Sequence, residues 1–326
     1  MNRKILLHFV IIFTFVMGVI VFNAPKSFAF EFYEEDLDLK IRGSIIISVN
    51  IGYRMDNLDW NIAGDQYGSN PNILSELEFN DLEIYQTGLE LKLTLNRIYF
   101  RASICHGEIT DGEGTDSDYD QDNRNGLYSR SKSEINNNNV QNISAGLGYQ
   151  FDFIKRRLKI APLIGTSYHG QNIRLTDGVQ TVATSGRTPA LGPFPGLKST
   201  YETEWRSWWL GMDISFELTT NLSLSSSLEY HRVDYGANAN WNLREDFQHP
   251  VSFAHEADGK GTAMKFGISH FFAEHWTIGL LYSWQKWSAS GGYDHLFLTT
   301  GETITTKLNE VNWDSRSINL LLSYRS

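Results

Sequence analysis

From about residue 38 onward, apolar and polar residues alternate with a period of two, the pattern of strands that bury one face and wet the other. In the first such segment Ile41, Gly43, Ile45, Ile47, Val49, Ile51 and Tyr53 fall on one side, and Arg42, Ser44, Ser48 and Asn50 on the other. Further on, Trp276, Ile278, Leu280, Tyr282 and Trp284 alternate with Thr277, Gly279, Ser283 and Gln285, and the last segment sets Ile318, Leu320, Leu322 and Tyr324 against Ser317, Asn319 and Ser323. About ten segments follow this pattern: 38–54, 76–95, 97–110, 137–153, 156–170, 201–218, 221–236, 262–273, 275–289 and 308–325.

The connections alternate in length. Asn96-Arg97, Ile154-Lys155, Thr219-Thr220-Asn221 and Ala273-Glu274 are short, whereas the stretches near 55–75, 111–136, 171–200, 237–261 and 290–307 are long and rich in Gly, Asn, Asp and Ser. Short turns at one end and long loops at the other predict an all-β, antiparallel transmembrane β-barrel with periplasmic turns and extracellular loops. The segments exceed the roughly 9–11 residues that a strand needs to cross a bilayer, so the barrel is expected to project on its loop side.

Soluble barrels and sandwiches also alternate, but two features favour the membrane. Small polar residues and glycine occupy many inward positions while large apolar residues form the other face, which is inside-out for a soluble barrel. Aromatic residues gather near segment ends (Trp205, Trp208, Trp209, Trp276, Trp284 and Trp287), as in interface girdles. The inward face carries both signs of charge, at Arg42, Glu90, Lys92, Arg101, Lys159, Asp213, Glu217, Glu229 and Lys265. In a barrel of about ten strands these are expected to pair across a narrow lumen and plug it.

Composition adds to this picture. Of 326 residues 41% are hydrophobic and 20% charged, ordinary for a folded chain, while the high aromatic share of 13% suits a core, an interface or a membrane-interface belt. Arg3 and Lys4, the apolar run from Ile5 to Phe22, and Ser27-Phe28-Ala29 form a signal-peptide pattern. The expectation is cleavage after Ala29, with 1–29 as signal peptide and 30–326 as one barrel domain; the alternative is a retained helical anchor. Beyond Ala29 no apolar run is long enough for a transmembrane helix. The single cysteine, Cys105, allows no internal disulfide and reads as a small inert side chain. The net charge of −10 argues against a nucleic-acid partner.

Candidate chemistry lies in two of the long connections. In the second, Asp116, Asp118 and Asp120 alternate, so they can point the same way from an extended chain. Two carboxylates that close hold a proton between them and can position water. The competing readings are a calcium loop, although Gln121 stands where an EF-hand requires glycine, a divalent-ion contact shared with lipopolysaccharide, and a solvated acidic loop. In the fourth, His249 and His255 lie beside Asp246 and Glu256; a histidine held by a carboxylate is a candidate general base, and the plainer reading is a polar rim. There is no serine-hydrolase elbow, HExxH or phosphate loop, and His106 and His231 have no companion at metal-ligand spacing, so neither cofactor nor metal is expected.

Two families share local motifs with this chain. Ser75-Glu76-Leu77-Glu78-Phe79 and Asp116-Ser117-Asp118-Tyr119 resemble the S-x-L-x-W/F and D-x-D-aromatic elements of the omptins, outer-membrane proteases built on a ten-stranded barrel. That resemblance implies half of a catalytic site at Asp116 and Asp118. The omptin partner pair, Asp-x-His, is not present between Asn238 and Arg244, where His249 and His255 follow at a different spacing. Thr115 to Tyr119, Trp241-Asn242-Leu243-Arg244 and Pro250-Val251-Ser252-Phe253 are similar to the Protochlamydia outer membrane protein family, which implies a porin-like role. The expectation is therefore an outer-membrane barrel with a non-enzymatic, porin-like or adhesive role, surrounded by outer-membrane lipid such as lipopolysaccharide and passing or binding small solutes. The alternative is an endoprotease acting on peptides through Asp116, Asp118 and a rearranged His249 or His255.

Overall fold

The computed structural model describes residues 43–326. The proposed signal segment, its cleavage site and Arg42 lie outside the described residues. Within them the chain forms thirteen antiparallel strands and no helix: β1 (Gly43–Ile62), β2 (Ser75–Leu95), β3 (Ile98–Gln121), β4 (Asn125–Ile135), β5 (Asn138–Tyr149), β6 (Phe151–Phe153), β7 (Leu158–Val182), β8 (Gly192–Phe194), β9 (Ser199–Glu217), β10 (Leu222–Asn240), β11 (Phe253–Phe271), β12 (Trp276–Phe297) and β13 (Thr303–Arg325). β4 and β5 are two halves of one wall strand. Both lie between β3 and β7, and they part at Asn136 and Asn137, where Asn137 takes a left-handed conformation. β6 and β8 are short additions to β7. The wall thus has ten strands, as the alternation predicts, and it closes where β1 pairs with β13 from Ile46↔Arg325 to Ile62↔Leu308. Closure leaves no open sheet edge, which a bilayer would not tolerate.

Turns gather at one end. Asn96, with φ 57°, makes the left-handed corner between β2 and β3, a conformation that asparagine adopts more readily than most residues. At the other end the strands run much further than the segments 97–110 and 156–170 suggested, with β3 reaching Gln121 and β7 reaching Val182. Much of what composition marked as loop is therefore wall. The reason lies in how the two faces are used. In the turn half, large apolar side chains such as Leu89, Ile104, Leu147, Ile164, Leu210, Leu280 and Ile318 point out and are exposed, while Ser48, Ser227, Ser283, Ser317, Asn319 and Ser323 are buried inside. In the loop half the sense inverts: Trp60, Phe79, Tyr201, Tyr235, Phe253 and Trp287 turn inward and are buried. Bulges at Asp56/Leu58, Asn80/Glu83 and Glu256/Gly259 break the register near this change.

The six tryptophans near segment ends divide accordingly. Trp208, Trp276 and Trp284 stand outside, and Trp276 packs edge-on to Tyr324 at 5.3 Å in a belt at the turn end. Trp205, Trp209 and Trp287 are instead wholly buried in the lumen, a correction to their reading as girdle residues. Glycine makes this possible for Trp209: a Cβ on Gly146 or Gly165 would come within 2.4 Å of its ring, so the indole lies flat against the inner wall.

Two layers close the lumen. In the turn half, Arg101 bonds Asp213 at 2.6 Å and Glu229 at 2.5 Å, Lys92 pairs with Glu90 at 2.8 Å, and Lys159 reaches Glu217 at 3.8 Å. The expected cross-lumen pairing of mixed charges is thus present. Most of these charged residues, with Lys265 and several serines, line a cavity of about 250 Å³. Above, one contiguous apolar cluster draws residues from all ten wall strands, among them Trp60, Phe79, Ile109, Ile135, Val140, Ile173, Tyr201, Val233, Phe253, Trp287 and Trp313. A cluster fed from every strand fills the cross-section as a protein core does. At the junction Arg54 and Asp56 form a buried pair (2.7 and 2.5 Å), capped by the Trp313 indole N–H donating to Asp56 at 3.0 Å.

Candidate functional site

The pairing of β2 with β3 brings the two acidic motifs together. Asp118 lies opposite Ser75 and Asp116 opposite Leu77, while Ser129 and Ser131 of β4 flank the other side. Asp116 and Asp118 are two residues apart on a strand, so they share a face, and they sit near the loop end, beyond the membrane-spanning part. They are therefore strand residues rather than members of a flexible loop. Asp120, on the same face, pairs with Arg187 at 2.9 Å, and the Arg187 guanidinium lies over the Tyr128 ring at 3.3 Å.

Crowding sets the protonation of the pair. Burial, and then the charge of Asp118, push the Asp116 carboxyl up to about 8, against the opposing pull of Arg244 and the Trp241 side chain. Burial also raises Asp118, while hydrogen bonds from Ser75 and Ser129 and the charges of Arg244 and Arg187 work the other way. Crowding thus favours a proton on the pair near neutral pH.

Trp241 and Arg244 come from the segment that follows β10. Arg244 is itself held by Asp246 through bonds of 3.0 and 2.9 Å and lies over Phe247 at 4.0 Å. Trp241 packs edge-on to Phe253 at 4.9 Å, and Phe253 contacts Trp60 in the core. The acid pair is in this way tied to the aromatic plug through a single indole.

The two histidines lie elsewhere. His249 is exposed, with Nδ1 2.6 Å from Asn240 Oδ1. His255 points into the lumen, where Trp60 stands edge-on to it at 4.8 Å. Its Nδ1 is 2.9 Å from the Tyr201 hydroxyl, which in turn lies 2.6 Å from that of Tyr235. Its Nε2 is 3.2 Å from Asp294 Oδ1, close enough for an ion pair but off the line of a hydrogen bond. No hydrogen bond or ion pair joins either histidine to Asp116 or Asp118 among the described residues. The geometry thus makes two separate groups: an acid pair faced by arginine and tryptophan, and a buried His255–Asp294 pair with two tyrosines.

Sequence reasoning missed Arg244 as the cation acting on the acid pair, although its motif was visible, and it missed Asp294 altogether. His255 and Asp294 are direct cross-strand partners of β11 and β12; only the register across an irregular hairpin reveals that. Among the described residues no three His, Cys, Asp or Glu side chains are grouped to hold a metal ion. Asp116, Asp118 and Asp120 alternate along an extended strand instead of wrapping a centre.

A closed antiparallel wall, an apolar outer band edged by aromatic residues, and short turns opposite long hairpins define an integral β-barrel of the cell outer membrane. The model of the Protochlamydia outer membrane protein family matches residues 48–325, and the chain belongs to that family. Among solved structures it is similar to the outer membrane protease OmpT from Escherichia coli, with 11% identity over 86% of this chain and 96% of that one and a TM-score of 0.69. That likeness shows the fold alone. The translocator domain of the autotransporter NalP from Neisseria meningitidis is also similar, at 10% identity over 85% of this chain and 88% of that one, with a TM-score of 0.34. No curated protein matches the chain.

Proposed function

We propose that this protein is a non-enzymatic surface barrel that presents its loop-side mouth to ligands, in the manner of an adhesin, and is not an open general porin. The observation that carries this reading is the apolar cluster to which every wall strand contributes, set above the Arg101–Asp213–Glu229 layer. A solute would have to displace both. The mouth offers the crowded acid pair Asp116–Asp118, the Trp241 and Tyr128 rings, and the cations Arg244 and Arg187. Because Arg244 already acts on the pair, a basic side chain of a peptide is the ligand group that fits it electrostatically. The surrounding lipid is expected to include lipopolysaccharide.

Planar-bilayer recording of refolded protein tests this directly. The expected result is no unitary conductance; steady channel steps would overturn the closed barrel. A second reading, an endoprotease, is favoured by one observation, two carboxyls on one strand face near the top of an OmpT-like wall. It is tested with a fluorogenic dibasic peptide and an Asp116→Ala/Asp118→Ala variant, with folding checked by the heat-modifiable gel shift. We expect binding without cleavage. Cleavage that disappears in the double variant would establish the protease and make His249 and His255 the next positions to change.

A further inference from the structure

The turn-half lumen holds a cation that its own acids do not neutralise. In the cavity of about 250 Å³, Lys92 pairs with Glu90 at 2.8 Å, Arg101 with Asp213 at 2.6 Å and Lys159 with Glu217 at 3.8 Å. Glu229, just beyond, is taken by Arg101 and by His231 at 3.1 Å. Two further cations line the cavity, Lys265 and Arg325, and neither makes an ion pair among the described residues. Every acid at this level is thus committed, and the lining keeps a surplus of positive charge.

The two cations differ in depth. Arg325 ends β13 at the rim, on the same face as buried Ser323. Lys265 lies further in on β11, directly opposite Ser227 of β10 and Ser283 of β12, both buried inside the barrel, so it too points into the lumen. It stands where two cavities meet, since Lys265 and Glu90 also line a second one, of about 100 Å³, that extends to Arg54, His169 and His231. The larger cavity runs down to Thr94, Ser223, Thr277 and Arg325, each at or next to the turn-side limit of its strand. It is therefore a cup that reaches the periplasmic mouth and is closed above by the aromatic cluster.

Hydroxyl groups complete the cup. No hydrogen bond engages those of Ser223, Ser225, Ser269 and Thr277 among the described residues, although all four line it. Ser225 is the cross-strand partner of Gly267, and a Cβ there would come within 2.4 Å of its Oγ, so glycine leaves that hydroxyl its place in the lumen. A charged group held inside a barrel without a partner is costly, and an ammonium beside free hydroxyls is a donor set for an oxyanion.

We propose that this cup is a periplasm-facing site for a small solute with an oxyanion head, phosphate or carboxylate, that binds Lys265 and the nearby serine hydroxyls. Arg325 and Lys159 at the rim draw the anion in. The volume equals on the order of eight waters, which suits a solute of a few carbons. The site lies on the opposite side of the aromatic cluster from the acid pair and goes beyond the loop-side reading.

The test is calorimetry on refolded full-length protein in uncharged detergent micelles, with glycerol 3-phosphate, glycerate and neutral glycerol at one ionic strength. We expect saturable binding of the anions, one per chain, and none of glycerol. The tighter of the two anions assigns the head group. Affinity should fall about tenfold or more in Lys265→Gln, as for a lost charge-assisted hydrogen bond. It should be largely kept in Lys265→Arg and unchanged in Lys286→Gln on the outer wall. If Lys265→Gln does not fold, acylation of the Lys265 amine in the unaltered protein, mapped by mass spectrometry, replaces it; the bound anion should protect that amine and glycerol should not. Absence of saturable anion binding at millimolar concentration, equal binding of glycerol, full affinity in folded Lys265→Gln, or no protection would overturn the proposal. Channel recording reads the aromatic cluster and not this cup, so a failure here is separable from a failure of the closed-barrel reading.

Discussion

The turn half and the loop half of this barrel are built from the same ten strands with opposite faces apolar. In the turn half Leu280 and Ile318 face outward while Ser283 and Ser317 are buried; in the loop half Trp287 and Trp313 are buried and Lys286 and Asp314 face outward. One solvent is hydrocarbon and the other water, and each half places its apolar side chains accordingly. The lesson is that the loop half is folded by an ordinary hydrophobic core, whereas the turn half is held by strand closure, lipid and a few buried ion pairs.

The largest effect should come from the loop-half core. Trp205→Ala removes a fully buried ring that packs against Tyr235 at 4.4 Å and Trp313 at 5.8 Å, and a loss of about 3–5 kcal/mol is expected. A denaturant midpoint followed by the heat-modifiable gel shift measures it; a near-neutral result would mean that this region is not a cohesive core. Arg101→Ala in the turn half leaves Asp213 and Glu229 without their cation, and a similar loss of about 3–5 kcal/mol is expected. Its sharper readout is conductance, which should remain absent because the aromatic cluster still blocks the lumen. If Arg101→Ala alone opens a channel, the upper plug does not seal.

Next in size, Leu280→Arg places a charge in the apolar band and should cost about 2–4 kcal/mol, measured by refolding yield and midpoint in lipid. The same change at Asp258, which faces outward in the loop half, should be nearly silent. Equal costs would erase the distinction between the halves.

The smallest effect concerns the mouth. The Asp116 carboxyl is raised in the folded protein, so the stability that its proton provides is present in full below the ordinary carboxylate range. It is lost as pH rises through about 8. Hydrogen exchange at the β3–β4 hairpin should therefore quicken over that rise, and Asp116→Asn should remove the dependence. Binding of a basic peptide should strengthen over the same range, as the pair gains its second negative charge. A hairpin whose exchange shows no such step beyond the intrinsic pH dependence would separate Asp116 from the packing of the mouth.

Much of the wall was legible because lipid imposes a strict period of two. Ile47, Val49 and Ile51, or Ile318, Leu320 and Leu322, admit no other regular reading. The loop-half strands were harder. Gly112, Gly114, Asp116 and Asp118 look like loop by composition, yet they are strand because Gly114 lets the wall approach Ser133 closely and the chain pairs on both sides. Trp205, Trp209 and Trp287 sit at spacings that suit a girdle, and nothing local to them reports that they point inward. The acid pair was visible as a pattern, but the arginine and tryptophan that act on it arrive from more than a hundred residues away.

By itself the sequence determined the class of fold, the wall of about ten strands, the turn and loop ends and the acidic pair at Asp116 and Asp118. These follow from periodicity and composition, which are local. The tertiary structure alone decided where the apolar face turns from outside to inside, that the lumen is closed by a cluster fed from every strand, and that His255 meets Asp294 and Tyr201 while Arg244 and Trp241 meet the acid pair. Each of these depends on strand register and barrel closure. A shift of one residue exchanges the two faces of a strand, and only the closed ring of pairings fixes which residues meet.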